Sequence, residues 1–243
     1  MDDPHAAPSV APAPSPLKMG TGEFVARMAG RMALNALAID IMLPALDDIA
    51  GELGAGEGNR QQLIIYAYIL GFGAPQLVFG PLSDRFGRRP VLFVSLIGYA
   101  VAGLVCMAAP SFETLLAARF LQGIFASGSR VVSVSVVRDV YEGRGMAKIM
   151  SLIMTIFMVV PILAPAIGQG ILFVGPWSWT FGVLSLASLG LLVWSWFRLD
   201  ETLPKEARRP LSVRSSAGAY AEVIRTRITF GYMAASGVIF GAL

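Results

Sequence analysis

Gly80-Pro81-Leu82-Ser83-Asp84-Arg85-Phe86-Gly87-Arg88-Arg89-Pro90 is a short charged stretch set between two apolar runs, Leu63 to Leu82 and Pro90 to Ala109. Arginines between apolar runs ordinarily serve as an orientation signal, but here the order of residues carries more than their charge. An acid at a helix end, a turn glycine and then a cationic pair can latch neighbouring helix ends by charge and helix dipole. The surroundings make this a loop between membrane spans. Hydrophobic residues make up 55% of the 243 and charged ones only 14%, against about 25% charged in an ordinary soluble domain. Apolar runs of about 20 residues, enough to cross a hydrocarbon core about 30 Å thick, recur along the chain.

Outward from that loop the spans fall into place. The first, from about Phe24 to Leu46, is interrupted by Arg27, Arg31, Asn35 and Asp40 and needs neighbours to be stable. After the two runs that flank the loop come Thr114 to Val137, Met146 to Val174 and Trp177 to Phe197. This predicts an all-α polytopic membrane protein. Six transmembrane helices occupy 23–199, preceded by a disordered cytoplasmic tail over 1–22 and followed by a charged cytoplasmic loop over 200–227. A seventh apolar run over 228–243 is still running at Leu243, an ending that looks like a cut.

Orientation follows from Lys and Arg. The connection from Asp47 to Gln62 holds four acids against Arg60, the next outward one holds Glu113 alone, and the one before Trp177 holds no charge. The opposite connections carry Arg85, Arg88 and Arg89, then Arg138, Arg144 and Lys148, then the arginines after span six. The latter face the cytoplasm, together with the N-terminus. The same clusters account for the net charge of +3 without a nucleic-acid partner, since no basic amphipathic face is present.

Other chemistries find no residues. His5, the only histidine, lies in the Pro/Ala-rich N-terminal stretch, so histidine-based catalysis and multi-histidine metal sites in the membrane are excluded. Cys106 sits alone in an apolar run as a small buried residue. No paired catalytic aspartates are visible. The expectation is no enzyme, no metal and no organic cofactor.

The Gly80 to Pro90 stretch resembles the signature loop of the major facilitator superfamily, G-x-L-x-D-R-x-G-R-[RK], with every defining position matched. The resemblance extends from about Phe24 to Phe197. It implies the N-terminal six-helix half of a twelve-helix fold that opens alternately to either side of the membrane, with the start of helix seven. It also implies a cytoplasmic gate at Gly80, Asp84, Arg85, Gly87, Arg88 and Arg89, whose partner lies in the missing C-terminal half.

Three further motifs narrow the resemblance. Arg119, Gln122 and Gly123 are similar to the R-x-x-Q-G motif assigned to proton transfer, and an intramembrane arginine costs about 3 kcal/mol, so it calls for a partner. Asp40, at a similar depth, lies in Ile39-Asp40-Ile41-Met42-Leu43-Pro44-Ala45-Leu46, which resembles the I-D-x-x-L-P-A-L stretch of the bicyclomycin-resistance (Bcr/CflA) type of drug:proton antiporter. Either the two form a static ion pair, or a movement that separates carboxyl from guanidinium changes proton occupancy and couples proton flow to conformation. Pro161, Pro165 and Gly168 in span five fit the P-x-L-A-P-x-x-G form of the antiporter motif, although Gln169 stands where the general version has a glycine. Two prolines four residues apart also predict a bend there.

On the inward half of span one, Arg27, Arg31 and Asn35 form one polar stripe, and Asp40 falls about 140° away from Asn35. Either the stripe faces a central cavity, or the two arginines extend to cytoplasmic lipid headgroups. The substrate cavity is expected to include Arg31, Asn35, Tyr66 and Gln122, with interfacial anchoring as the other reading of Tyr66. Arg138-Asp139 resembles the R-D that closes span four in the same subfamily, and Arg130 belongs to no recognised motif.

Together these features imply proton-coupled multidrug efflux across the inner membrane. Asp40 and Arg119 would handle the proton, and the substrates would be lipophilic or cationic drugs. A metabolite transporter of the same superfamily and a non-transporting half-length membrane protein are the alternatives.

Overall fold

The computed structural model describes residues 20–55 and 57–208, with isolated positions at 218, 225–226, 229–232 and 234–235. Most of the expected tail, of the charged loop and of the seventh apolar run lies outside the described residues. Eight α-helices follow in order: α1 (Thr21–Asp40), α2 (Leu46–Glu52), α3 (Leu63–Gly73), α4 (Gln76–Phe86), α5 (Arg88–Met107), α6 (Phe112–Val140), α7 (Gly143–Val174) and α8 (Ser178–Arg198). Among the described residues all regular structure is helical.

Helices α5, α6, α7 and α8 are each long and apolar enough to cross a membrane, and α3 with α4 makes a fifth span bent by 42°. Helix α1 has 20 residues, about 30 Å at 1.5 Å per residue, but Glu23, Arg27, Arg31 and Asp40 set it apart from the purely apolar spans. Its stability comes from what surrounds it.

Two spans differ from their expected outlines. The first was expected to reach Leu46, yet α1 ends at Asp40 and a 3₁₀ turn over Leu43–Ala45 leads into the short α2. Pro44 in that turn has no N–H to continue an α-helical ladder. The second was expected as one helix, yet it breaks at Ala74 and Pro75, and α4 restarts with the amides of Val78 and Phe79 donating to the Pro75 carbonyl. By contrast, α7 remains helical through both Pro161 and Pro165.

Helix α6 is the hub, packed most closely against α5 and α3, while α5 packs on α8 and α1 on α7. Ser111 caps it by accepting a hydrogen bond from the Thr114 amide at 3.2 Å. Where α3 crosses α6 the backbones touch. A Cβ on Gly71 would lie 2.1 Å from the Phe120 carbonyl oxygen, and one on Gly123 would lie 2.2 Å from that of Tyr68. Small residues permit such approach between membrane helices. The outer surface is apolar, with Ile162 of α7 76% exposed and Phe197 of α8 77% exposed.

Candidate functional site

The polar stripe of α1 points into the bundle. Arg27, Arg31 and Asn35 are all buried, and each finds a different partner. Arg27 pairs with Glu23 at 2.5 Å and lies 5.2 Å from the ring centroid of Trp194. Glu23 also binds Arg198 at 2.7 Å, so the start of α1 and the end of α8 are joined by one carboxylate. Arg31 has no carboxylate partner among the described residues; it donates to the Ser195 hydroxyl at 2.7 Å and to the Met28 sulfur at 3.6 Å. Asn35 accepts a hydrogen bond of 2.6 Å from the Tyr68 hydroxyl. Arg31 is thus enclosed between α1 and α8 and does not extend to the membrane surface.

Arg119 is fully buried one level further outward. It donates to Gln122 Oε1 at 2.7 Å and to the Ala38 carbonyl oxygen at 2.9 Å. The rings of Tyr68 and Phe181 stand 4.4 and 5.6 Å from its guanidinium carbon, so its charge is stabilised by dipoles and ring faces. Three buried polar groups nearby keep no hydrogen-bond partner: Nε of Arg119, Nε2 of Gln122 and the Tyr99 hydroxyl.

Asp40 is not the partner of Arg119 that equal depth suggested. Among the described residues it forms no ion pair, and the guanidinium is held two residues earlier on α1, at Ala38. Depth along a helix fixes height but not azimuth, and the carbonyl of Ala38 is what faces α6. Asp40 remains partly buried at the end of α1. The antiporter-motif glycine lies directly behind it, because a Cβ on Gly168 would come 2.0 Å from the carbonyl oxygen of Ile41. Gly168 therefore sets how closely α7 presses on the turn that carries Asp40.

Tyr66 stands apart from the cluster, 53% exposed on the far side of α3, while Tyr68 is buried at its centre. Sequence reasoning assigned Tyr68 no place in the site. The signal for it was the spacing Ile64, Tyr68, Gly71, which places the tyrosine on the face that contains the crossing glycine.

At the end of the bundle where α1 begins, the signature loop forms a closed network around Arg88. Its guanidinium binds Asp84 at 2.6 Å, Ser83 Oγ at 2.6 Å and Asp139 at 2.9 Å, joining α4, α5 and α6. Asp139 also accepts from the Thr202 hydroxyl at 3.0 Å. Glu201 caps α5 by accepting from the amides of Arg88 at 2.8 Å and Arg89 at 3.2 Å, a carboxylate at a helix N-terminus. Arg89 donates to the Trp196 carbonyl at 2.8 Å and lies against the Phe93 ring at 5.2 Å. Gly87 has φ of 99°, and a Cβ there would meet Glu201 Oε2 at 2.5 Å, so both its conformation and the space require glycine. Arg85 is exposed, and a Cβ on Gly80 would meet nothing within 4 Å. Glu201 was not foreseen from the sequence, where it reads as one acid in a basic connection.

Above this network a cavity of about 670 Å³ opens between α4 and α6, lined among others by Gln76, Gly80, Asp84, Arg130, Val134 and Asp139. It lies within the size range of small-molecule sites, about 300–1,000 Å³.

Comparison with known proteins gives a consistent picture. The family model described as Major Facilitator Superfamily matches residues 29–243. An uncharacterized MFS-type transporter, YdgK of Bacillus subtilis, is 39% identical over 210 residues, covering 86% of this chain and 52% of that protein. The bicyclomycin resistance protein homolog of Haemophilus influenzae is 34% identical over 211 residues, again 86% of this chain and 52% of that one. The multidrug resistance protein MdtL of Salmonella typhi is 36% identical over 185 residues, 76% of this chain and 47% of that one. The chain therefore spans about half the length of these relatives. Among solved structures, the human organic anion transporter MFSD10 (TETRAN) superposes with a TM-score of 0.63 at 23% identity, covering 86% of this chain and 57% of that one.

Proposed function

Because the chain belongs to the major facilitator superfamily, as a multi-pass membrane protein with the fold of an N-terminal half, we propose that it is part of a proton-coupled exporter of drug-like small molecules. Its N-terminus and gate loop face the cytoplasm, and the membrane is the inner (cytoplasmic) one. The observation that carries the reading is the unsatisfied chemistry between α1 and α6. Among the described residues Arg119 has a free Nε–H and Asp40 forms no ion pair, and the two helices meet at Ala38. Coupling requires a rearrangement at the end of α1, where Asp40 lies about 160° round the helix from Ala38, that brings the Asp40 carboxylate to the Arg119 guanidinium. In that arrangement the ionised acid is favoured and the proton leaves; when the helices part, the carboxyl takes up a proton. Proton occupancy is thereby tied to helix position.

The Arg88 network supplies the complementary element. It bundles the cytoplasmic ends of α4, α5 and α6 and the segment after α8, so this half moves as one body while the cavity side opens and closes, as alternating access requires. The bicyclomycin- and multidrug-resistance names of the relatives support export over import, and the Pro161, Pro165 and Gly168 helix supports antiport.

The test is ethidium and chloramphenicol efflux in inverted vesicles that contain the full-length gene product, with and without Asp40→Asn. A loss of at least tenfold in proton-driven transport by the variant is expected. Unchanged transport would reduce Asp40 to a structural residue.

A further inference from the structure

Arg130 sits eleven residues beyond Arg119 on α6, about 16 Å nearer the cytoplasm. No described side chain accounts for its charge. It forms no ion pair or hydrogen bond among the described residues, and its one close contact is the Phe72 ring, 5.6 Å from the guanidinium carbon. That contact lies over the ring face and uses none of the in-plane N–H groups, and Arg130 lines the cavity between α4 and α6. The carboxylates of that cavity, Asp84 and Asp139, are both committed to Arg88 at its cytoplasmic mouth, at 2.6 and 2.9 Å.

The buried arginines of α1 and α6 each have a dedicated protein ligand: Glu23 for Arg27, Ser195 for Arg31, and Gln122 with Ala38 for Arg119. Arg130, half-buried, has none among the described residues and lines open space. A planar guanidinium fork matches a carboxylate, sulfonate or similar oxyanion through two parallel hydrogen bonds. Phe72 and Val134, beside it, offer an apolar surface.

We infer that Arg130 is an anion-recognising group of the substrate cavity, selecting molecules that join an oxyanion to an apolar, aromatic body. This rests on the reading of the chain as part of an exporter and adds a substrate class to it. Amphiphilic acids and zwitterions thereby join the lipophilic or cationic drugs expected of such an exporter.

The full-length product, purified and reconstituted in phosphatidylcholine vesicles free of anionic lipid, tests this with nalidixate and its uncharged methyl ester. Binding is read by equilibrium dialysis, and transport by uptake driven by an imposed proton gradient. The wild-type protein is expected to bind nalidixate at least tenfold more tightly than the ester. Arg130→Gln is expected to erase that preference, and Arg130→Lys to restore part of it. Equal binding of acid and ester by the wild-type protein, no binding of nalidixate, or a preference that survives Arg130→Gln would overturn the inference. An equal loss of both probes in Arg130→Gln, with the preference intact, would also overturn it and mark Arg130 as a partner of the remaining chain. Selective binding without gradient-driven uptake would uphold the subsite and sink the exporter reading instead.

Discussion

Glu201 is the residue on which the Arg88 network depends most directly, because one carboxylate satisfies two amides at the start of α5 and also faces Arg208 at 3.9 Å. Glu201→Gln keeps the shape but replaces an anion at a helix N-terminus with a neutral amide. A loss of about 1 kcal/mol is expected, read as a lower unfolding midpoint of the full-length product in detergent. An unchanged midpoint would show that the cap adds nothing. Most residues of this network were legible as a motif, since its order of acid, glycine and arginines lies within eleven consecutive positions. Glu201 was not, because it acts on residues more than a hundred positions earlier. The same limit explains Arg119. A lone intramembrane arginine announces a need for a partner, but apart from Gln122 of its own motif the partners are a carbonyl and two rings, and backbone carbonyls leave no mark in a sequence.

Among the elements, the crossing of α3 and α6 is the least tolerant of change. Gly71→Ala would drive a methyl group onto the Phe120 carbonyl, which belongs to the helix backbone and cannot rotate away. Overpacking of this kind costs about 1–3 kcal/mol. Gly73→Ala, on the exposed side of the same helix with nothing within 4 Å, serves as its control. The expected result is a marked fall in folded, detergent-stable protein for the first and none for the second; equal behaviour would remove the crossing from the account. Span existence was readable from hydropathy, but the break in the second span was not. Pro161 and Pro165 lie in an unbroken helix while Pro75 ends one. The difference is in what precedes them: Gly71 and Gly73 weaken the helix just before Pro75, whereas bulky apolar residues precede Pro161.

For the whole molecule, the alternation of charge between connections predicts a labelling pattern. Cys106 is free and fully buried, so replacing it with serine gives a background for single cysteines. In intact cells, Glu113→Cys is expected to react with a membrane-impermeant maleimide and Arg144→Cys to react only after permeabilisation. The reverse pattern would invert the proposed orientation, and reaction of both from outside would break the span count. The two sites bracket α6, so one crossing more or fewer between them would place both on the same side.

The grip of Asp139 on Thr202 and of the α5 amides on Glu201 has a consequence for how the chain leaves this half. Helix α8 ends at Arg198, but residues 199–202 stay fastened to the start of α5 and the end of α6 through Glu201 and Thr202. If this network opens during transport, as the proposed gate requires, those four residues can extend and add about 14 Å of reach to the segment after α8. The network would then set the slack of that connector as well as the closure of its own side of the bundle.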